Sequence, residues 1–272
     1  MDTDAFIKKI KITIENEPFM QDFRIFLSYV TENKIKLTPK GRWMPMKHLY
    51  AINSLLKEPL QLDDKLGDKI YKTREECYAS RIYFIDLLAE ASECIMPDCR
   101  DVLIKGREYA RFIEMDGFRK KRWLTLAWYY HIDWNNWFPY GDFGRLLQTK
   151  TLEIIPYLKE WKETGHMVNF KTAADNLIAG LDLRWVAPSQ IDAKEHMNWG
   201  IAQCLLQPLI YLNIISIPYE KEGKHGFKDI KGFYIQPLGK IFLDELIKIG
   251  ERLKDAEARE QGLPIEKTIE RL

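Results

Sequence analysis

The sequence predicts a mainly α protein with small β-hairpins, arranged as an array of repeated units around an aromatic helical centre. Three observations carry that expectation. Apolar residues recur at helical spacing over most of the chain, strand-like alternation is confined to short stretches, and eight aromatic rings crowd into residues 123–140. The 272 residues allow one large domain or two to three small ones, at roughly 150 residues per domain. A hydrophobic share of 46% with 30% charged residues excludes wholesale disorder. A net charge of +1 supplies no global basic field of the kind that accompanies nucleic-acid binding.

The elements follow in order. Phe19, Phe23, Phe26, Leu27 and Val30 make Pro18 to Asn33 an amphipathic helix, and Leu49, Ile52, Leu55 and Leu56 do the same for Met46 to Glu58. Asp63 to Lys72 is charged and is expected to be a linker. Thr73 and Glu76 have the spacing of a capping box for a helix carrying Tyr78, Ile82, Ile85, Leu88 and Ala89. Further helices are expected at Glu108 to Met115, Trp123 to Trp137, Leu146 to Glu163, Thr172 to Leu181, Asp192 to Leu212, and from Leu238 onward. Pro139 to Asp142 and Thr164 to Met167 read as turns. Short strands are expected at Ile35 to Leu37 and Arg100 to Ile104. The clearest pair is Ile214 to Tyr219 and Gly232 to Ile235, a hairpin around the polar tip Glu220 to Lys231.

Three places share one grammar: an apolar helix, a short strand, then a glycine followed by a basic residue and a new helix. The glycines are Gly41, Gly106 and Gly239, separated by 65 and 133 residues. Leu37, Val102 and Ile235 stand four before them, and Arg42, Arg107 and Lys240 follow them. A fourth, degenerate copy centres near Thr172 with Val168 at its apolar position. A strand turning sharply into a helix needs a left-handed or crowded backbone, which glycine enters at least cost.

This grammar resembles the winged-helix family, in the version where a wing strand runs into the phrase x-Leu-Thr-x-x-Gly. Lys36-Leu37-Thr38-Pro39-Lys40-Gly41 matches that phrase. Phe233 to Gly239 matches with Gln236 in place of threonine, and Asp101 to Gly106 places Leu103 there. The layout is also similar to bacterial proteins that string such units together. The resemblance implies winged-helix-like units at 1–70, 71–165 and 166–272, the last with a wing at 214–235 and a closing helix. It implies a fold and does not by itself imply DNA binding.

Candidate contact residues are few. Arg119, Lys120, Lys121 and Arg122 form the densest basic run, directly before Trp123. They are expected at a helix N-terminus, where the macrodipole disfavours cations. The wing offers Lys221, Lys224, His225, Lys228 and Lys231 against Glu220, Glu222 and Asp229, enough for a phosphate contact or two. The helix before that wing has no charged side chain beyond Glu195, which makes it a core helix and a poor groove reader. The expected partner is therefore DNA or another protein, with the balance toward protein. The mixed signs of Lys248 to Leu272, divided by Pro264, suit a solvated or oligomer-forming helix.

No catalytic residue, metal site or cofactor is predicted. The chain contains no Walker A phrase, dinucleotide fingerprint, His-Glu-x-x-His or nucleophile elbow. Cys94 and Cys99 are spaced too widely for a zinc knuckle, and Cys77 and Cys204 lie far off. The alternative is an enzyme with a site near 123–140, where His131 and Asp133 sit among the rings. Aromatic stripes at helical spacing more often build core. Four cysteines and an acidic Met1-Asp2-Thr3-Asp4 start lead to an expectation of a cytoplasmic protein without a secretory leader. The charge-free stretch after Glu195 is long enough to span a bilayer. Gln203, Gln207, Asn213 and Pro208 argue for a buried core helix and no membrane contact.

Overall fold

The computed structural model describes residues 10–66, 69–138, 142–185, 190–218 and 230–259. It is mainly helical with three small antiparallel sheets among the described residues. The chain divides into two compact units, Met1–Ile132 and Asp133–Leu272, where the sequence grammar suggested three.

In the first unit, α1 (Pro18–Glu32) buries Phe19, Phe23, Phe26, Leu27 and Val30, as its periodicity requires. Residues 35–37 follow as an extended segment, then α2 (Met46–Leu55). The expected linker is a hairpin, β1 (Asp64–Leu66) and β2 (Lys69–Tyr71), paired in register Asp64 to Tyr71. α3 (Ser80–Ala91) leads into β3 (Ile95–Pro97) and β4 (Leu103–Lys105), which pair with Met96 opposite Ile104. Residues 35–37 then join the free side of β4: Lys36 bridges Val102, and the Leu103 N–H donates to the Ile35 carbonyl at 2.9 Å. α4 (Tyr109–Glu114) and α5 (Gly117–Tyr130) complete the unit.

The second unit opens with α6 (Trp134–Trp137), α7 (Phe143–Gln148) and α8 (Thr151–Glu163). β5 (Val168–Asn169), α9 (Phe170–Gly180) and α10 (Gln190–Ile201) come next. The chain continues through a π-helical segment, Ala202–Leu206, into α11 (Gln207–Tyr211). β6 (Ile215–Ser216) and β7 (Gly232–Ile235) pair as expected, and α12 (Pro237–Arg259) packs on α8. Phe242, Leu243, Leu246, Ile247 and Leu253 bury one face of α12, while Lys159 reaches Glu251 at 3.1 Å across the seam. The π segment has a local cause. Pro208 cannot donate to the Cys204 carbonyl and its ring crowds it, so the helix widens there. The Gln203 carbonyl accepts instead from Trp137 Nε1 at 2.7 Å.

The two units share a run of helix, strand, helix, helix, strand, strand, helix, interrupted in the first by the β1–β2 hairpin before α3 and preceded in the second by α6 and α7. Within that run the first strand lies beside the third: 35–37 beside β4, and β5 beside β7. The turn out of the third helix repeats as well. Glu93 and Asn213 are left-handed, at φ 56 and φ 50. The Cys94 N–H donates to the Ala89 carbonyl, and the Ile214 N–H to that of Leu209, the six-to-one bond of a Schellman cap. Gly106 and Gly239, at the entry to the next helix, lie against the Glu93 and Ile214 carbonyls with no room for a Cβ.

Two sequence expectations change here. Gly41 does not lie against a carbonyl at a strand-to-helix corner as Gly106 and Gly239 do. It lies at φ +87 in the turn from residues 35–37 to α2, closed by the Thr38 N–H on the Trp43 carbonyl at 2.9 Å. The strands at 35–37 and 102–105 are thus neighbours in one sheet. Thr73 does not cap α3 either: its N–H donates to Asp63 Oδ1 and its hydroxyl to the Leu62 carbonyl, while Glu76 turns inward.

Candidate interaction surfaces

The basic run lies on the first turns of α5. Asp116 caps that helix by accepting from the Arg119 N–H at 3.0 Å, and Lys11 stands 2.8 Å from the same carboxylate. The cap supplies the negative charge that the run itself lacks there. The four cations do not form one patch. Arg119 is exposed, and Arg122 is half-buried. Lys120 is half-buried with its ammonium 6.0 Å above the Phe112 ring. Lys121 is fully buried and bonds both oxygens of Glu17, at 2.8 and 2.6 Å. Lys121 is therefore unavailable to a partner, because it lies on the stripe of Leu124, Thr125 and Trp128 that α5 turns inward. Glu17 occupies the N-cap of α1, where unpaired backbone N–H groups favour an anion. Burial pushes the Lys121 ammonium down and the Glu17 carboxylate opposes that shift.

The β3–β4 hairpin is the described counterpart of a wing. Its turn is ordered by Asp98, whose Oδ1 accepts from the N–H groups of Arg100 (2.8 Å) and Val102 (2.9 Å). Those bonds, Val102 first, hold the Asp98 carboxyl below its ordinary range. Three arginines around the hairpin are matched by acids: Arg100 with Asp98 at 3.1 Å, Arg42 with Asp101 at 3.2 Å, and Arg107 with Glu93, while the exposed Lys105 lies 4.8 Å over the Tyr109 ring. On its outer face the cross-strand pair Met96 and Ile104 stays 47% and 41% exposed, beside the exposed Lys36. This apolar pair was not among the residues singled out from the sequence. The available signal was alternation, since the hairpin places Met96 and Ile104 opposite the buried Ile95 and Leu103.

The helix preceding each hairpin is mostly core. α3 buries Arg81, Ile82, Tyr83, Phe84, Ile85, Asp86, Leu88 and Ala89. Its one cation, Arg81, is committed to Asp22 at 2.8 Å and to Glu58. In the second unit Lys194, Glu195 and His196 are exposed on α10, with Lys194 2.9 Å from Asp175. From Met197 onward most side chains are buried. The wing cations Lys221, Lys224, His225 and Lys228 lie outside the described residues.

The aromatic segment is two helices, since α5 stops at Tyr130 and α6 starts at Trp134. Trp123, Tyr130, Trp134 and Trp137 therefore do not share one stripe. Trp128, Tyr129 and Trp134 are completely buried, and Trp137 and Phe138 nearly so. Asp133 caps α6 through the Asn135 N–H at 2.8 Å, and His131 is the exposed C-cap of α5. The aromatic rings are thus packing elements, and His131 and Asp133 fall in different units.

No group of three or more His, Cys, Asp or Glu residues able to hold a metal occurs among the described residues. All four cysteines are free; Cys94 is buried at the base of the hairpin, which pushes its thiol up to about 11. No helix among the described residues is long and apolar enough to cross a membrane. A shallow cleft of about 460 Å³ between α8 and α9 has alternating charges, Lys150 and Lys254 against Glu153 and Asp182. Lys150 already meets Glu153 at 3.4 Å there, and Asp182 meets Arg184 at 3.1 Å. No protein-family model, no curated protein and no solved structure matches this chain.

Proposed function

We infer that each unit is a winged-helix-type domain and that the chain is a non-catalytic interaction protein whose partner is another protein. The shared order of elements and the sheet order, first strand beside third, support the fold reading. The observation that carries the functional reading is the burial of α3. A groove-reading helix presents polar and basic side chains outward. Here the helix at that position spends its cation on Asp22 and Glu58 and buries eight of its side chains. The three arginines around the hairpin are likewise paired within the chain, which leaves the exposed Lys36 and Lys105 as its cations for phosphate. What the hairpin offers beside them is an exposed apolar pair, Met96 and Ile104, the centre of a small protein contact.

Fluorescence anisotropy with a mixed-sequence labelled duplex separates the two partners. At about 50 mM salt the expected result is no binding that weakens steeply by about 200 mM. Salt-steep binding that Lys224→Glu abolishes would make the second wing a DNA arm and overturn the protein reading. In cells, a photo-crosslinking residue at Ile104 is expected to trap a discrete protein adduct, lost on Met96→Glu and absent when the probe stands at Lys248. Identical adduct patterns from Ile104 and Lys248 would show that the hairpin is not the contact surface.

A further inference from the structure

The outer face of the first unit's sheet has an apolar half and a cationic half. Alternation turns every second residue of each strand outward. Met96 of β3 lies opposite Ile104 of β4 and both are exposed, whereas their neighbours Ile95 and Leu103 are buried. At the far edge of the sheet Lys36 stands opposite Val102, two residues before Ile104. Ile35 and Leu37 are buried, while Lys34 and Lys36 are exposed. Extending the Lys36 to Val102 register by two positions sets Lys34 level with Ile104. The diagonal from Lys36 to Ile104 is about 7–8 Å, within reach of a lysine side chain.

The charges around this face do not balance. Asp98, Asp101 and Glu93 are each taken by an arginine, and Asp98 also accepts from the N–H groups of Arg100 and Val102. Glu32, two residues before Lys34, accepts from Ser28 Oγ at 2.7 Å. Lys34 and Lys36 form no ion pair with a described residue. Resting on the reading of the hairpin as a protein contact, we propose that this face binds a protein segment in which an apolar side chain is flanked by Asp or Glu. The apolar side chain seats on Met96 and Ile104, and the carboxylates meet Lys34 and Lys36.

An acidic segment with an apolar anchor uses both halves of the face. A phosphate backbone would use the lysines and leave Met96 and Ile104 without an apolar partner. The lysines set which partners are admitted, because complementary charge speeds encounter and like charge excludes. The second unit lacks this cationic half. Val168 stands opposite Phe233 as Ile35 stands beside Leu103, which puts Asn169 where the first unit has Lys36. Tyr234, opposite Ser216, supplies the exposed ring at the Ile104 position. The preference for acidic segments therefore belongs to the first unit.

The probes are peptides selected from a random displayed library on the intact chain, then labelled and measured by fluorescence anisotropy. Enrichment of Asp and Glu around Leu, Ile, Phe or Trp is expected. Ile104→Glu, and Lys34→Glu combined with Lys36→Glu, are each expected to weaken binding at least about tenfold. All three positions are exposed, so each variant is expected to keep the wild-type urea midpoint. Peptides lost on Ile104→Glu but indifferent to the lysine reversal, or without an acidic excess, leave the hairpin contact standing and overturn the acidic partner. Binding indifferent to Ile104→Glu overturns the contact surface itself, as does a library that yields no peptide. Displacement of the peptide by a mixed-sequence duplex at equal salt would make the face a nucleic-acid site and overturn the proposal.

Discussion

Lys121→Ala is expected to destabilise the first unit by about 3–5 kcal/mol, read as a lowered urea midpoint at unchanged slope. The substitution leaves the Glu17 carboxylate, 7% exposed, without the ammonium that bonds both its oxygens. Removing both charges tests the cause. Lys121→Met combined with Glu17→Leu is expected to recover most of the loss, because hydrophobic pairs of similar volume replace buried ion pairs at little cost. A Lys121→Ala variant within about 1 kcal/mol of wild type would show that the pair is solvated and the buried assignment wrong. Lys121→Glu would bury two acids side by side and prevent folding. It is therefore unsuitable as a charge-reversal probe of binding, whereas the exposed Arg119 is suitable.

Gly106→Ala and Gly239→Ala are each expected to lower stability at or beyond the upper end of the ~1–3 kcal/mol cost of overpacking. An added Cβ would overlap the Glu93 carbonyl in the first case and that of Ile214 in the second. Both neighbours are backbone held by a Schellman cap, so neither can rotate away. Gly165 is the control. A Cβ there meets nothing within 4 Å, and Gly165→Ala is expected to be neutral or to stabilise by about 0.4–1 kcal/mol. Thermal unfolding of the three variants decides the matter. If Gly106→Ala and Gly239→Ala behave like Gly165→Ala, the close approach of helix and carbonyl does not exist. Losses at both 106 and 239 would show that each unit packs its strand-to-helix corner closely against a backbone carbonyl.

Much of the local structure was legible because it depends on local patterns. The apolar spacing of Phe19, Phe23, Phe26, Leu27 and Val30 is enough to define α1, and alternation with a polar tip defines the β6–β7 pairing. The glycine grammar located Gly106 and Gly239 close against a backbone carbonyl where a strand leads into a helix, three residues apart in register, but it also admitted Gly41, which meets a different need in a left-handed turn. Only pairing partners separate these cases. Residues 35–37 find β4 across more than sixty positions of chain, and no local pattern encodes that choice.

The sites divide in the same way. Arg119 to Arg122 is a basic run by composition, yet the helical period of α5 sends Lys121 inward and Arg119 outward. A charged residue on an apolar stripe is the signal that a buried partner exists; which partner depends on the distant N-cap of α1. Glu76 has the spacing of a capping box, a rule that assumes the helix begins at Thr73. The chain instead makes a 3-10 turn and starts α3 at Ser80, so the carboxyl enters the interior and accepts from the Met44 N–H. The sequence by itself determined the helical class, the terminal hairpin and the absence of the common catalytic phrases, because these follow from residue order and short-range sterics. Tertiary structure alone decided which charges are buried, which strands meet and where the two units divide, because burial and pairing depend on neighbours brought together by folding.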